Sequence, residues 1–187
     1  MARRQAGEAS RASAFAPSSH AAFVFARMWL LPIAMGLGAV MLDHVVRLPV
    51  RLPGHNALLW MSCIVAGRIA SGNALGGIAG GLGAVAGSIG SDASAAIGFA
   101  TAGAAVDALA PMARWLRVWW TALAGTLGNL AILGVKLLAA LPPTAAATRG
   151  MGLTIESYVA FGAIGGLIGG VVMTTAIGAA RKTRRTE

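Results

Sequence analysis

Charged side chains are few in this chain of 187 residues, and they make up 11% of it, with six acidic residues in total. An average soluble domain has roughly 25% charged residues. Hydrophobic residues reach 57%, so a soluble globule of this length could not cover its surface with charge. The composition therefore excludes a soluble enzyme and predicts a membrane protein with several spans.

Cysteine is almost absent too, because Cys63 is the only one. A disulfide framework and a cysteine-rich metal site are thereby excluded. None of the histidines, His20, His44 and His55, stands at a helical spacing from an acid or a thiol that a zinc site requires. The chain also lacks a glycine-rich phosphate loop ending in Gly-Lys-Ser or Gly-Lys-Thr. We therefore expect no metal, no cofactor, no ATP site and no enzymatic activity of its own.

Basic residues give the chain a net charge of +9, but they are concentrated in the two tails and at the ends of apolar runs. This distribution is typical of topology signals and contacts with anionic lipid, and it argues against a nucleic-acid partner. We predict cytoplasmic basic tails at 1–21 and 180–187, and a single transmembrane domain at 22–179.

Six apolar segments approach the length of about 20 residues that a transmembrane helix needs. They cover residues 22–42, 57–70, 73–89, 94–110, 115–141 and 155–179. The second is short, and with the third it can form a helical hairpin that turns at Ser71, Gly72 and Asn73. Counted as six spans, most basic flanks fall on one side. The sequence thus predicts an all-α bundle of six transmembrane helices in the cell membrane, with both termini cytoplasmic.

Glycines recur at helical spacing in the third and sixth segments. In the sixth, Gly162, Gly166 and Gly170 form a flat ridge, with Gly165 and Gly169 beside it. Such a ridge allows another backbone to approach closely, which is how helices associate in lipid. We therefore expect the third and sixth helices to be central in the bundle.

The loop between the first two segments combines prolines, a glycine and positive charges. Arg47 and Arg51 stand against the predicted topology, and Pro53 and Gly54 lead into the second helix. Prolines reduce the entropy that a loop loses on ordering. We predict that these four residues belong to a lid over a ligand site.

Polar and aromatic residues near the same membrane surface predict that site. His55 and Asn56 enter the second helix one turn above Trp60, an arrangement that suits a flat, partly aromatic solute. Ionisable side chains in a span are costly and mark functional positions by default. The predicted substrate-binding residues are His55, Asn56, Trp60, Asn129, Lys136, Glu156 and Tyr158.

Structural roles stay open for several of these residues. Lys136 can extend to the membrane surface, Glu156 can cap the sixth helix, and the aromatic residues can form an ordinary interfacial belt. Nearer the cytoplasmic surface, Asp107 is expected to pair with one of the basic residues Arg68, Arg114 or Arg117.

The chain resembles the substrate-binding S components of energy-coupling-factor importers for vitamins and related micronutrients. The resemblance rests on the six segments, the glycine-rich spans and three short motifs: Pro53-Gly54-His55 leading into Trp60, Ala105-Val106-Asp107, and Phe-Gly-Ala-Ile-Gly-Gly at 161–166. It implies capture of a small molecule outside, followed by toppling in the membrane to release it inside. It also implies docking through Ala22 and Ala26 onto a transmembrane coupling subunit, which two cytoplasmic ATPases drive.

Two other functions remain open. A self-assembling channel or scaffold would use the glycine ridges between copies and bind no solute tightly. An accessory subunit would use its loops to bind a protein partner rather than a small molecule.

Overall fold

A computed structural model describes residues 19–46, 52–89, 93–139 and 151–184. Within these ranges the chain is helical and contains no strand, so the predicted all-α class is confirmed. The six main helices are α1 (Ser19–Val45), α2 (Ala57–Ser71), α3 (Gly76–Gly87), α4 (Ala93–Leu109), α5 (Trp119–Ala139) and α6 (Met151–Thr183).

Four of these helices are long and apolar enough to cross a membrane: α1, α4 with the turns after it, α5 and α6. Helices α2 and α3 are apolar but shorter, with 15 and 12 residues. Helix α6 has 33 residues, which corresponds to about 50 Å and exceeds a hydrocarbon core of about 30 Å. Many large apolar side chains on the outside are exposed, as a lipid-facing surface requires.

The helices alternate in direction, so their ends form two groups. At one end, here called the His55 end, α1, α3 and α5 finish and α2, α4 and α6 begin. At the other, here called the Arg117 end, α2, α4 and α6 finish and α1, α3 and α5 begin. Contacts between helices follow a closed order of α1, α3, α4, α5, α6 and α2.

The central helix is α2, which contacts all five others, whereas α3 and α6 have no extensive contact with each other. Three of its side chains, Met61, Ile64 and Val65, are fully buried. The expectation that α3 and α6 are central was therefore wrong. Glycine allows close approach on one face, but only larger side chains can fill the space between several helices.

The glycine ridge of α6 does mediate the predicted close packing. A Cβ atom added at Gly162 would lie 2.5 Å from the carbonyl oxygen of Gly125 on α5. On the neighbouring face, a Cβ at Gly165 would lie 2.5 Å from the carbonyl oxygen of Ala57 on α2. Ser62 Oγ also donates to the Gly165 carbonyl at 2.9 Å. The two glycine rows thus pack α6 against two different helices.

The turn between α2 and α3 is held against α1 at a break in that helix. Residues Ala26–Leu30 form a π-helical turn, and Pro32 has no N–H to donate to the Met28 carbonyl four residues back. Asn73 Nδ2 donates to this carbonyl instead, at 3.3 Å. Arg27 Nε donates to the Ala70 carbonyl at 3.1 Å. The predicted turn at 71–73 is confirmed, with Gly72 in a left-handed conformation.

Asp107 on α4 joins α2 and α3 at the Arg117 end. Arg68 Nε lies 2.8 Å from Asp107 Oδ1, so Arg68 is the partner among the three arginines considered. The carboxylate also accepts hydrogen bonds from the backbone N–H groups of Gly77 at 2.9 Å and Ile78 at 2.7 Å. A carboxylate at a helix N-terminus satisfies free N–H groups and complements the helix dipole.

The boundaries of the last two helices differ from the sequence prediction. Residues 115–118, expected inside the fifth span, include the end of a short helical turn, Ala113–Leu116, followed by a break before α5. Helix α6 begins at Met151 rather than at residue 155, and it continues past residue 179 to Thr183. The first helix likewise begins at Ser19, before residue 22.

Candidate functional site

A cavity of about 500 Å³ lies at the His55 end, a volume typical of small-molecule sites. Six elements contribute to it: the ends of α1 and α5, the beginnings of α2, α4 and α6, and the loop that leads into α2. The lining residues are Asp43, Leu52, Pro53, Gly54, His55, Asn56, Ala57, Trp60, Ala95, Phe99, Asn129, Ile132, Lys136 and Tyr158.

The loop before α2 packs directly on the first turns of α6. Gly54 has a φ of +76°, and a Cβ there would lie 2.8 Å from the Tyr158 ring atom Cδ2. Both the backbone conformation and the close contact therefore require glycine. The Gly54 carbonyl accepts a hydrogen bond from the Ala57 N–H at 3.0 Å, so the loop continues into α2 without a gap.

One rim of the cavity is an acid and amide pair. Asn56 Nδ2 donates to Asp43 Oδ2 at 2.9 Å, which joins the end of α1 to the start of α2. The His55 Nδ1 atom lies 2.6 Å from the Leu52 carbonyl oxygen. Since a carbonyl can only accept, Nδ1 is the donor, and Nε2 is an acceptor when the ring is neutral.

Aromatic side chains form the apolar wall. Trp60 is buried and meets Phe99 edge to face, with ring centroids 5.3 Å apart and an interplanar angle of 82°. This arrangement is a favourable geometry for aromatic pairs. It provides a flat apolar surface on one side of the cavity.

The opposite wall belongs to α5. Asn129, Ile132 and Lys136 follow a spacing of three and four residues, so they lie on one face of the helix. Asn129 is 1% exposed, and its Nδ2 donates to the Tyr158 carbonyl at 2.8 Å. No residue of the described part of the chain donates to its Oδ1. This oxygen can therefore accept a hydrogen bond from a solute, which would offset the cost of its burial.

The structure brings together six of the seven predicted substrate-binding residues: His55, Asn56, Trp60, Asn129, Lys136 and Tyr158. Pro53 and Gly54, predicted for the lid, line the same cavity. Arg47 and Arg51 lie outside the described residues. Sequence reasoning missed six lining residues: Asp43, Leu52, Ala57, Ala95, Phe99 and Ile132. Asp43 carried a signal, since a carboxylate ending an apolar run is rare in a chain so poor in acids.

Glu156 is exposed and is not part of the cavity. Glu156 stands two positions before Tyr158, which corresponds to about 200° around a helix, so the two side chains point in different directions. Its alternative role as a cap does not fit either, because α6 begins at Met151 and Glu156 lies in its second turn. Glu156 therefore lies apart from the other predicted binding residues, and its role in substrate binding stays a prediction.

Ala22 and Ala26 lie at the beginning of α1, far from this cavity. Ala22 is exposed and Ala26 is half-buried, and the π-helical turn begins at Ala26. Their predicted role in docking a partner stays a prediction.

Among the described residues, no group of three His, Cys, Asp or Glu side chains is arranged to hold a metal ion. The polar groups of the cavity are hydrogen-bonding groups with one amine and one carboxylate. The arrangement suits reversible binding of a small molecule.

A scan against protein-family models and searches of the curated proteins and of the solved structures give no match. The resemblance to S components accordingly stays a prediction.

Proposed function

We propose that this protein is a membrane subunit that binds one small, partly aromatic solute in the cavity at the His55 end. The observation that carries the proposal is the convergence of Asn129, His55, Asp43 and Lys136 opposite the wall formed by Trp60. A mainly apolar cavity with a few convergent polar groups is the usual form of a ligand site.

The polar groups define the kind of solute. Asn129 Oδ1 and Asp43 accept hydrogen bonds, so the solute carries N–H or O–H donors. Lys136 at the rim donates and is cationic, so the solute also carries an anionic or electron-rich group. A flat ring would lie against Trp60, whose indole offers a large apolar face. These features fit a nitrogen-containing ring with an acidic or strongly polar substituent.

The orientation of the protein in the membrane follows from the position of its positive charges. Every arginine and lysine of the described residues except Lys136 lies toward the Arg117 end. Basic residues accumulate on the cytoplasmic side of membrane proteins. We therefore propose six spans with both termini cytoplasmic, in the cell membrane, and a cavity that opens to the outside.

This arrangement supports the S-component interpretation. The solute would enter beneath the loop that Gly54 seats on Tyr158, and its delivery would require a transmembrane coupling subunit with two ATPases. Such partners are needed because the sequence has no ATP site. Ala22 and Ala26 at the cytoplasmic end are the proposed docking positions.

The channel or scaffold alternative fits the packing less well. The fully buried Met61, Ile64 and Val65 of α2 fill the centre of the bundle. The glycine rows of α6 pack against α5 and α2 within one chain, so they are not free to join two copies.

Native mass spectrometry of the gently solubilised protein tests the proposal. The expected species is a monomer with one discrete small molecule. His55→Ala and Lys136→Ala should each weaken ligand retention about tenfold, the effect of one lost hydrogen bond or charge contact. His20→Ala, an exposed histidine at the opposite end, is the matched control and should retain the ligand.

Two results would contradict the proposed function, and a third would replace it with another. A ligand-free symmetric oligomer, or a ligand retained equally by all three variants, would contradict binding in this cavity. If the two cavity variants altered assembly with a protein partner without changing ligand retention, the accessory-subunit function would replace this one.

A further inference from the structure

A second cavity, of about 780 Å³, lies at the Arg117 end between α2, α5 and α6. Its lining is mainly apolar and includes Ile69 and Trp120, with the aliphatic part of Thr174 on α6. Arg117 supplies the one charged side chain in the lining. The solute cavity at the His55 end shares none of these residues, so the two cavities are separate.

One side of this cavity is the connection between α4 and α5, here called the elbow and comprising residues 110–118. It consists of a 3-10 turn, Ala110–Met112, the helical turn Ala113–Leu116 and a break at Arg117. Trp115 and Trp119 beside the break are 74% and 66% exposed. Exposed tryptophans at the end of a span are typical of the membrane interface. The cavity thus lies at the level of lipid headgroups.

Arg117 has an unusual backbone conformation, with φ of +52° and ψ of −122°. It is the only non-glycine residue with positive φ in the described part of the chain. Glycine adopts this conformation far more easily than a residue with a side chain. Strained residues cluster at ligand sites, where the strain positions a side chain. Here the strained residue is the one that brings a positive charge to the cavity.

The charge of Arg117 has no counter-ion among the described residues. Asp107 is the one described carboxylate at this end, and it is occupied by Arg68 and by two backbone N–H groups. The neighbouring Arg114 lies over the Trp115 ring at 5.5 Å instead of in the cavity. An apolar cavity with one unpaired guanidinium at its edge calls for a ligand with an anionic head and a long apolar body.

We infer that this cavity binds one anionic diacyl phospholipid. Arg117 holds the phosphate, since a guanidinium matches phosphate oxygens with paired hydrogen bonds. An acyl chain lies along Ile69, Trp120 and Thr174 between α2, α5 and α6. The inference requires a membrane but is independent of the solute cavity, and it would stand if the proposed transport function failed.

The test is native mass spectrometry of delipidated protein titrated with phosphatidylglycerol or with phosphatidylcholine. One phosphatidylglycerol should bind more tightly than phosphatidylcholine. Arg117→Gln should weaken phosphatidylglycerol binding about fivefold, the effect of one basic contact with an anionic headgroup. Arg114→Gln removes an equal charge outside the cavity and should leave this binding nearly unchanged. Arg117→Gly removes the same charge, so it should weaken phosphatidylglycerol binding as much as Arg117→Gln does. The elbow stays folded in this variant because glycine adopts the positive φ without strain.

A separate variant tests whether an acyl chain occupies the cavity. Ile69→Trp fills the cavity from α2 and should lower the amount of bound lipid, whereas Ile97→Trp on an exposed face of α4 should not. Equal affinity for both lipids, or equal losses in Arg114→Gln and Arg117→Gln, would overturn the inference, since either result would indicate diffuse surface attraction. Unchanged binding in Ile69→Trp would refute occupation of the cavity.

Discussion

Replacement of Gly162 by alanine tests the packing that holds the solute cavity together. At this position α6 crosses α5 so closely that a new Cβ would lie 2.5 Å from the Gly125 carbonyl oxygen and 2.9 Å from the Asn129 Cβ. Backbone cannot rotate away as a flexible side chain can. The two helices must therefore separate, and the hydrogen bond from Asn129 to the Tyr158 carbonyl must lengthen.

The size of the effect can be isolated with Gly178→Ala on the same helix, because a Cβ at Gly178 would meet nothing within 4 Å. Alanine favours a helix over glycine by about 1 kcal/mol at either position. This gain cancels when the two variants are compared. The remaining difference is the cost of overpacking, about 1 to 3 kcal/mol, so Gly162→Ala should be the less stable variant by that amount.

Reversible unfolding in mixed micelles, followed by circular dichroism, measures both variants against the wild type. Gly178→Ala should be as stable as the wild type or more so, and Gly162→Ala should unfold at lower denaturant concentration. Ligand retention should fall in Gly162→Ala alone, because Asn129 moves. Equal stability of the two alanine variants would refute the close α5 and α6 crossing and the account of the cavity wall built on it.

Three further predictions concern other parts of the bundle. Asp107→Ala should destabilise the protein by about 3 kcal/mol or more in the same unfolding assay, because it leaves Arg68 unpaired and two backbone N–H groups unsatisfied; a change within experimental error would contradict that ion pair. Gly54→Ala should lower solute affinity without unfolding the bundle, because the loop must rise from Tyr158, and a binding titration checks this. Arg117→Gly should raise stability by about 1 kcal/mol by relieving the backbone, and a loss of stability would show that the positive φ is absent.

The sequence was sufficient for the class of fold and for most of the cavity. Backbone groups in lipid must be hydrogen-bonded within the chain, so long apolar runs specify helices almost without reference to tertiary structure. The loop into α2 and the face of α5 that carries Asn129 and Lys136 were also predictable. Their residues are close in sequence or spaced at the helical period.

Other features depended on how the helices pack. Asp43 and Phe99 reach the cavity from α1 and α4, and nothing local indicates that these helices surround the same side of α2. Glu156 stands two positions before Tyr158, about 200° around the helix, so it lies on a different side of α6 from the residue that lines the cavity.

The break at Arg117 has neither glycine nor proline to mark it, and the apolar residues around it favour a continuous helix.

Sequence alone determined that the chain forms apolar helices with glycine-lined faces, because that information lies in composition and in spacing of three or four residues. Tertiary structure decided which helix is central, which partner Asp107 takes and where the elbow bends. Those outcomes depend on contacts between residues far apart in the chain, whose energies no local pattern contains.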